Sequence, residues 1–159
     1  MKLKKIMVIG AGQMGSGIAQ VCAQAGYDVL LHDLKPEHID RGLQTISKNI
    51  NRQVEKGRMS ESEKSFILAR LCKSTDIHDA GGVDIVIEAV VENMDIKRNI
   101  FAQLDEITPD HTILASNTSS RPAVALALSP RGRLGRRWRA FRKLHSSLSM
   151  KASPFAQAA

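Results

Sequence analysis

Six residues near the start of the chain, Gly10-Ala11-Gly12-Gln13-Met14-Gly15, follow directly on the apolar run Ile6-Met7-Val8-Ile9. A buried strand that runs into Gly-x-Gly-x-x-Gly turns tightly and starts a helix, whose first backbone N–H groups are free to hold an anion. The glycines divide the work. Gly10 permits the sharp turn, Gly12 removes a Cβ from the path of a pyrophosphate, and Gly15 lets the new helix lie close to the sheet. Ala11, Gln13 and Met14 complete the turn. Gly17 to Ala23 continues with small and apolar residues at helical spacing, Gly26 ends the helix, and Tyr27-Asp28-Val29-Leu30-Leu31 reads as the next strand. Asp33 stands just past that strand. A carboxylate there can accept both hydroxyls of an adenosine ribose and would repel a 2′-phosphate, so the unit is expected to bind NAD rather than NADP. An ordinary strand-turn-helix with a capping Asp is the plainer reading of the same residues.

The elements that position this turn are legible in order. Pro36 can open a helix at its first turn, and Ile39, Leu43, Ile46, Ile50 and Val54 recur every three or four residues up to Gly57. Ser60-Glu61-Ser62-Glu63 is a capping box, predicting a second helix with Phe66, Ile67 and Leu71 on its apolar side. The two form a helical hairpin. Ser74-Thr75-Asp76 reads as a short strand end, Val83 to Val90 as an apolar strand, Asn93 to Ile107 as a helix with Ile96, Ile100 and Leu104 inward, and His111 to Ser116 as a further strand. Near-continuous apolar strands alternating with helices predict an α/β fold, a doubly wound parallel sheet of Rossmann type.

Of 159 residues, 43% are apolar and 25% charged, which fits one globular domain. No apolar run approaches the roughly 20 residues that span a bilayer, and the N-terminus enters a strand instead of a signal peptide, so a cytoplasmic protein with no membrane partner is expected. Cys22 and Cys72 have no metal-ligand spacing and are expected as core thiols on apolar helical faces; no metal site is expected. The net charge of +7 is unevenly placed. Residues 121–159 hold 9 of the 23 basic side chains and no acid, whereas residues 1–120 carry 14 basic against 16 acidic. The positive balance is therefore no argument that the folded part binds nucleic acid.

Four stretches in order, GAGQMGSGIA from Gly10, Asp33 to Gly57, Glu88-Ala89-Val90-Val91-Glu92-Asn93, and Ala115-Ser116-Asn117-Thr118-Ser119-Ser120, resemble the NAD domain of the 3-hydroxyacyl-CoA dehydrogenases. The likeness is greatest to the bacterial 3-hydroxybutyryl-CoA dehydrogenases and covers residues 1–120. It implies NAD-dependent oxidation of a 3-hydroxyacyl-CoA to the 3-ketoacyl-CoA, in fatty-acid or butanoate metabolism. It further implies that Glu92 and Lys97 stand at the nicotinamide-ribose side of the cofactor, Asn117 near the nicotinamide, and Ser119 at the substrate's 3-oxygen. On the residues alone, Glu92 and Lys97 also read as an exposed helix-start pair, and Asn117 with Ser119 as turn formers.

From Arg121 the likeness stops. The family's pattern implies a His-Phe-x-Asn-Pro-type segment whose histidine takes the hydroxyl proton, and a later glutamate that orients it. Here His145 is followed by Ser146-Ser147, and the last acidic residue is Asp110, so no catalytic role is carried to His145. The family's helical domain, with its homodimer contacts and much of its acyl-CoA cleft, has no counterpart in this sequence. Residues 1–120 are thus expected as an incomplete Rossmann domain and residues 121–159 as a disordered basic tail. The change to Arg, Ser, Ala and Pro resembles a shifted reading frame, and the chain is expected to be a catalytically incomplete fragment. The alternative is an NAD-binding module whose Arg-rich tail, with Trp138 and Phe141, binds RNA or another polyanion.

Overall fold

The structure, a computed structural model, describes residues 3–91 and 93–117. Five strands, β1 (Lys5–Ile9), β2 (Asp28–His32), β3 (Leu71–Ser74), β4 (Ile85–Glu88) and β5 (Ile113–Ser116), form one parallel sheet in the order β3-β2-β1-β4-β5. The helices are α1 (Gln13–Gln24), α2 (Pro36–Glu55), α3 (Glu61–Leu68) and α4 (Met94–Ile107), with a 3₁₀ turn at Ile77–Gly82. Winding out from β1 to β3, then back across to β4 and β5, puts the reversal of strand order between β1 and β4. Ile9 pairs with His32 on one side and Glu88 on the other, His32 pairs with Ser74 and Glu88 with Ser116, so all five strands end level, with the reversal at their centre.

Both faces of the sheet are covered, which is why the strands are apolar at nearly every position. On one face Ile6, Val8, Val29, Leu31 and Ile85 pack with Ala19 and Ala23 of α1, Ile39, Ile46 and Ile50 of α2, and Ile67 of α3. On the other, Met7, Ile9, Val86 and Leu114 pack with Phe101 and Leu104 of α4 and Ala80 of the 3₁₀ turn. Pro36 opens α2, and the Ser60 hydroxyl accepts the Glu63 N–H while the Glu63 carboxylate accepts the Ser60 N–H, the capping box expected from sequence.

Several boundaries and faces differ from expectation. α3 ends at Leu68, and Leu71, expected on its apolar side, belongs to β3. Phe66 is exposed, with the Arg70 guanidinium 4.2 Å above its ring centre, so Ile67 is the buried residue of this short helix. The strand expected to end at Ser74–Asp76 ends at Ser74. β4 is confined to Ile85–Glu88 because the Glu88 carboxylate turns back to accept the Val90 N–H at 2.7 Å. In α4 the inward row is Lys97, Phe101 and Leu104, and Ile96 is exposed. Both rows satisfy helical spacing, and the acceptor at Glu88 decides between them. Cys72 is exposed on the edge strand β3, not a core thiol. Cys22 is half-buried on α1, and burial pushes its thiol up to about 11. Among the described residues no helix is long and apolar enough to cross a membrane, and no three His, Cys, Asp or Glu side chains converge as a metal site requires.

The closest packing is at the β1–α1 turn. A Cβ on Gly15 would lie 1.7 Å from the Gly10 carbonyl oxygen, and one on Gly10, where φ is +103°, would lie 2.6 Å from the Ala89 oxygen. Both obstacles are backbone. Gly15→Ala is therefore expected to cost about 3 kcal/mol or more, lowering the midpoint of thermal unfolding by on the order of 10 °C. A circular-dichroism melt within about 2 °C of the parent would contradict this packing.

Candidate functional site

The strand ends at the reversal carry most of the described candidates. After β1 the chain turns through Gly10, whose N–H donates to the His32 carbonyl at 2.8 Å, and Gly12 becomes the cap residue of α1. Gly12 supplies no side-chain cap, and the first turn of α1 holds no acid. The first N–H groups of a helix have no partner within it, so the end of α1 is electrostatically positive and open to an anion. Gly12 differs from its neighbours in one decisive way. A Cβ built on it meets nothing within 4 Å, and its φ of −71° suits any residue. The fold does not require a glycine at this position. The missing side chain instead leaves space in front of the helix, a cradle of the kind a pyrophosphate fills. Gln13 and Met14, the first residues of α1, are both exposed beside it.

A third close approach lies behind the turn and is not visible as a motif. A Cβ on Gly42 of α2 would lie 2.7 Å from Ser16 Oγ and 3.0 Å from the Ala11 oxygen. Ser16, buried on α1, donates to that same Ala11 oxygen at 3.1 Å. Thus α2 is seated against the turn, and the long hairpin helix helps to hold it.

Asp33 sits beyond β2 and binds the turn directly. Its Oδ2 accepts the Ala11 N–H at 3.0 Å, while Oδ1 accepts the Lys35 N–H at 3.1 Å and lies 3.1 Å from His38 Nδ1. Burial, the largest influence, pushes this carboxyl up. The Ala11 and Lys35 N–H groups and the His38 imidazole outweigh it and hold the group below its ordinary value. Asp33 is therefore ionised near neutral pH, with its side chain still 18% exposed. Its neighbour His32 is buried, 3.3 Å from Ser74 Oγ, and burial lowers its pKa and keeps it neutral. It is a core histidine.

On the other side of the reversal is a buried charged cluster. Glu88, the last residue of β4, is fully buried, and Lys97 of α4 is 1% exposed. Lys97 Nζ lies 3.5 Å from Glu88 Oε1, which also accepts the Val90 N–H, and Ser116 Oγ donates to Glu88 Oε2 at 2.5 Å. One carboxylate thus ties α4, the loop after β4 and the end of β5 together. Neither Glu88 nor Ser116 was singled out from the sequence. The available signal was a glutamate inside an otherwise apolar strand, which must find a cationic or hydrogen-bonding partner. The plainer reading of Lys97 as an exposed helix-start residue does not hold. Asn117 is exposed just past β5, its N–H donating to the Glu88 carbonyl at 2.8 Å. Glu92 and Ser119 lie outside the described residues, as does the basic stretch 121–159.

The chain matches the family described as 3-hydroxyacyl-CoA dehydrogenase, NAD binding domain, over residues 5–134. It is 49% identical over 127 residues to a probable 3-hydroxybutyryl-CoA dehydrogenase of Bacillus subtilis, covering 80% of this chain and 44% of that one. A probable 3-hydroxybutyryl-CoA dehydrogenase of Deinococcus radiodurans is 50% identical over 123 residues, covering 77% of this chain and 44% of the relative. The crystal structure of 3-hydroxybutyryl-CoA dehydrogenase from Escherichia coli K12 superposes with a TM-score of 0.79 at 39% identity, over 81% of this chain and 27% of that one. The chain therefore spans less than half the length of these relatives. None of these relatives supports the reading of the Arg-rich stretch as a polyanion binder.

The contrast between Gly12 and Gly15 can be tested directly. Gly12→Ala should unfold within about 1 kcal/mol of the parent, since only the cap residue changes. It should weaken NADH binding by about tenfold or more, because its Cβ enters the cradle. Unchanged NADH affinity in a folded Gly12→Ala protein would show that the cradle holds no ligand.

Proposed function

The chain belongs to the 3-hydroxyacyl-CoA dehydrogenase family, within its NAD binding domain, and from that premise we propose that it binds NAD across the β1/β4 reversal. The proposed reaction is NAD-dependent oxidation of a 3-hydroxyacyl-CoA, 3-hydroxybutyryl-CoA foremost, to the 3-ketoacyl-CoA, carried out in the cytoplasm. One observation carries the cofactor assignment. Gly12 is open to a depth no packing requires, beside an ionised Asp33 that is hydrogen-bonded to the same turn.

The residues divide the cofactor among them. The N–H groups at the start of α1, with Gly10, Ala11, Gly12, Gln13, Met14 and Gly15 as their frame, hold the pyrophosphate. Asp33 accepts hydroxyl protons of the adenosine ribose. Glu92 and Lys97 serve the nicotinamide-ribose end, with the Lys97 ammonium held by Glu88. Asn117 stands near the nicotinamide. Ser119 donates to the 3-oxygen of the substrate, stabilising charge there as the C–O bond order changes. NAD, when bound, supplies a hydride acceptor. We place this unit at residues 1–120, with the basic stretch 121–159 outside it, although the family match itself runs on to residue 134. The family description, the open cradle and the level strand ends support this reading.

Fluorescence titration checks it. NADH should bind about tenfold or more tightly than NADPH, because Asp33 opposes a 2′-phosphate, and Asp33→Ala should abolish most of that difference. Equal affinities in the parent chain would sink the role given to Asp33.

A further inference from the structure

The donors around Asp33 raise a question that a bare ribose acid does not. An ionised carboxylate offers about four acceptor directions. Three are taken here, by the Ala11 N–H, the Lys35 N–H and His38 Nδ1. Two of these donors are backbone groups fixed by the turn and by the start of α2. His38 is the only side chain among the donors in the described residues, and it is 42% exposed. A ribose diol needs two acceptor directions. It must take the one remaining on Oδ2 and meet or displace the imidazole at Oδ1. His38 therefore stands at an acceptor that a hydroxyl of the ribose, 2′ or 3′, would need.

We propose that His38 is a specificity-determining residue of the dinucleotide site, its imidazolium offsetting the Asp33 carboxylate and so setting how strongly a 2′-phosphorylated dinucleotide is refused. This rests on the reading of Asp33 as the ribose acid. Imidazole is the side chain that ordinarily changes charge between about pH 5 and 8. With neutral His38, the 2′-phosphate meets an uncompensated carboxylate. With the imidazolium 3.1 Å from Asp33 Oδ1, it meets an ion pair that carries a free donor face.

The charges near His38 leave this pair in control. Lys35, Glu37 and Arg41 flank it along its own segment and are exposed. Asp40, also on α2, is paired at 2.5 Å with Lys73 of β3. α1, which packs against α2, has no charged side chain at all. Asp33, just past β2, is the group in contact with His38, and His32 before it is buried and neutral.

The test uses the full chain, titrated with NADH and NADPH at about pH 5.5 and about pH 8, as parent, His38→Gln and Asp33→Asn. The reading is the ratio of the NADPH to the NADH dissociation constant. A 2′-phosphate itself gains a proton in this range, which lowers the ratio in every variant alike. The difference between parent and His38→Gln isolates the imidazole. From pH 8 to pH 5.5 the ratio should fall about threefold to tenfold further in the parent than in His38→Gln. His38→Asn should behave like His38→Gln, and because His38 is half-exposed both variants should keep the parent's unfolding midpoint. Equal pH dependence in the parent and both His38 variants overturns the proposal, even where Asp33→Asn collapses the ratio at pH 8. If Asp33→Asn leaves the pH 8 ratio unchanged, the ribose-acid reading itself fails, and the proposal with it.

Discussion

Helix α1 lies so close to β1 that the Gly10 carbonyl occupies the space a Gly15 side chain would need. That approach sets the direction of α1, aims its first N–H groups out of the sheet at the β1/β4 reversal, and leaves Gly12 facing open space. Two further contacts brace it from outside, Gly10 against the Ala89 carbonyl and Gly42 against Ser16 and Ala11. Two segments distant in sequence, the loop after β4 and α2, are thus seated on one tight turn. Because protein interiors do not compress, a methyl group added at Gly10 or Gly15 displaces backbone and one at Gly42 meets the Ser16 hydroxyl and the Ala11 carbonyl, whereas one at Gly12 meets nothing within 4 Å.

The electrostatics are arranged around the same turn. Beyond β2 a partly exposed Asp33 is kept ionised by hydrogen bonds that outweigh its burial, and one of those bonds, from Ala11, comes from the turn itself. In the proposed site this carboxylate would serve both architecture and recognition, and its orientation is already fixed by the turn. Across the reversal, at the end of β4, the charge is buried, with Glu88 and Lys97 facing each other beneath the strand ends and Ser116 donating to the same carboxylate. Removing one member of such a pair generally costs about 3–5 kcal/mol, so this cluster binds α4, β4 and β5 into a single frame. One carboxylate is partly exposed at the turn and the other is buried in the scaffold.

Strand and helix order, the parallel sheet, the Pro36 helix start and the capping box at Ser60 were legible because each rests on local signals: periodicity, a fixed φ, or a side chain reaching three residues along. The glycine turn was legible because spacing and flanking residues agree. What local reading missed was decided at long range. Ile96 and Lys97 fit a helical stripe equally well, and the buried Glu88, on a strand, favours the lysine for the interior. Leu71 continues the apolar pattern of α3 but is claimed by pairing with Val29 in β2. Cys72 looks like a core residue until β3 proves to be an edge. Gly42 and His38 lie in a helix that reads as ordinary, and their significance comes from what β1 and β2 place opposite them.

The central claim is that the β1–α1 turn and the end of β2 form the dinucleotide site, and backbone amide chemical shifts of the ¹⁵N-labelled chain on addition of NAD⁺ test it most directly. The account predicts that the largest shifts fall on Gly12 to Gly15 and on Asp33 to Lys35, with smaller ones at Asn117, while the strand starts at Lys5, Asp28 and Ile85 stay in place. Shifts concentrated elsewhere, or no shift at the glycine turn at saturating NAD⁺, would contradict it.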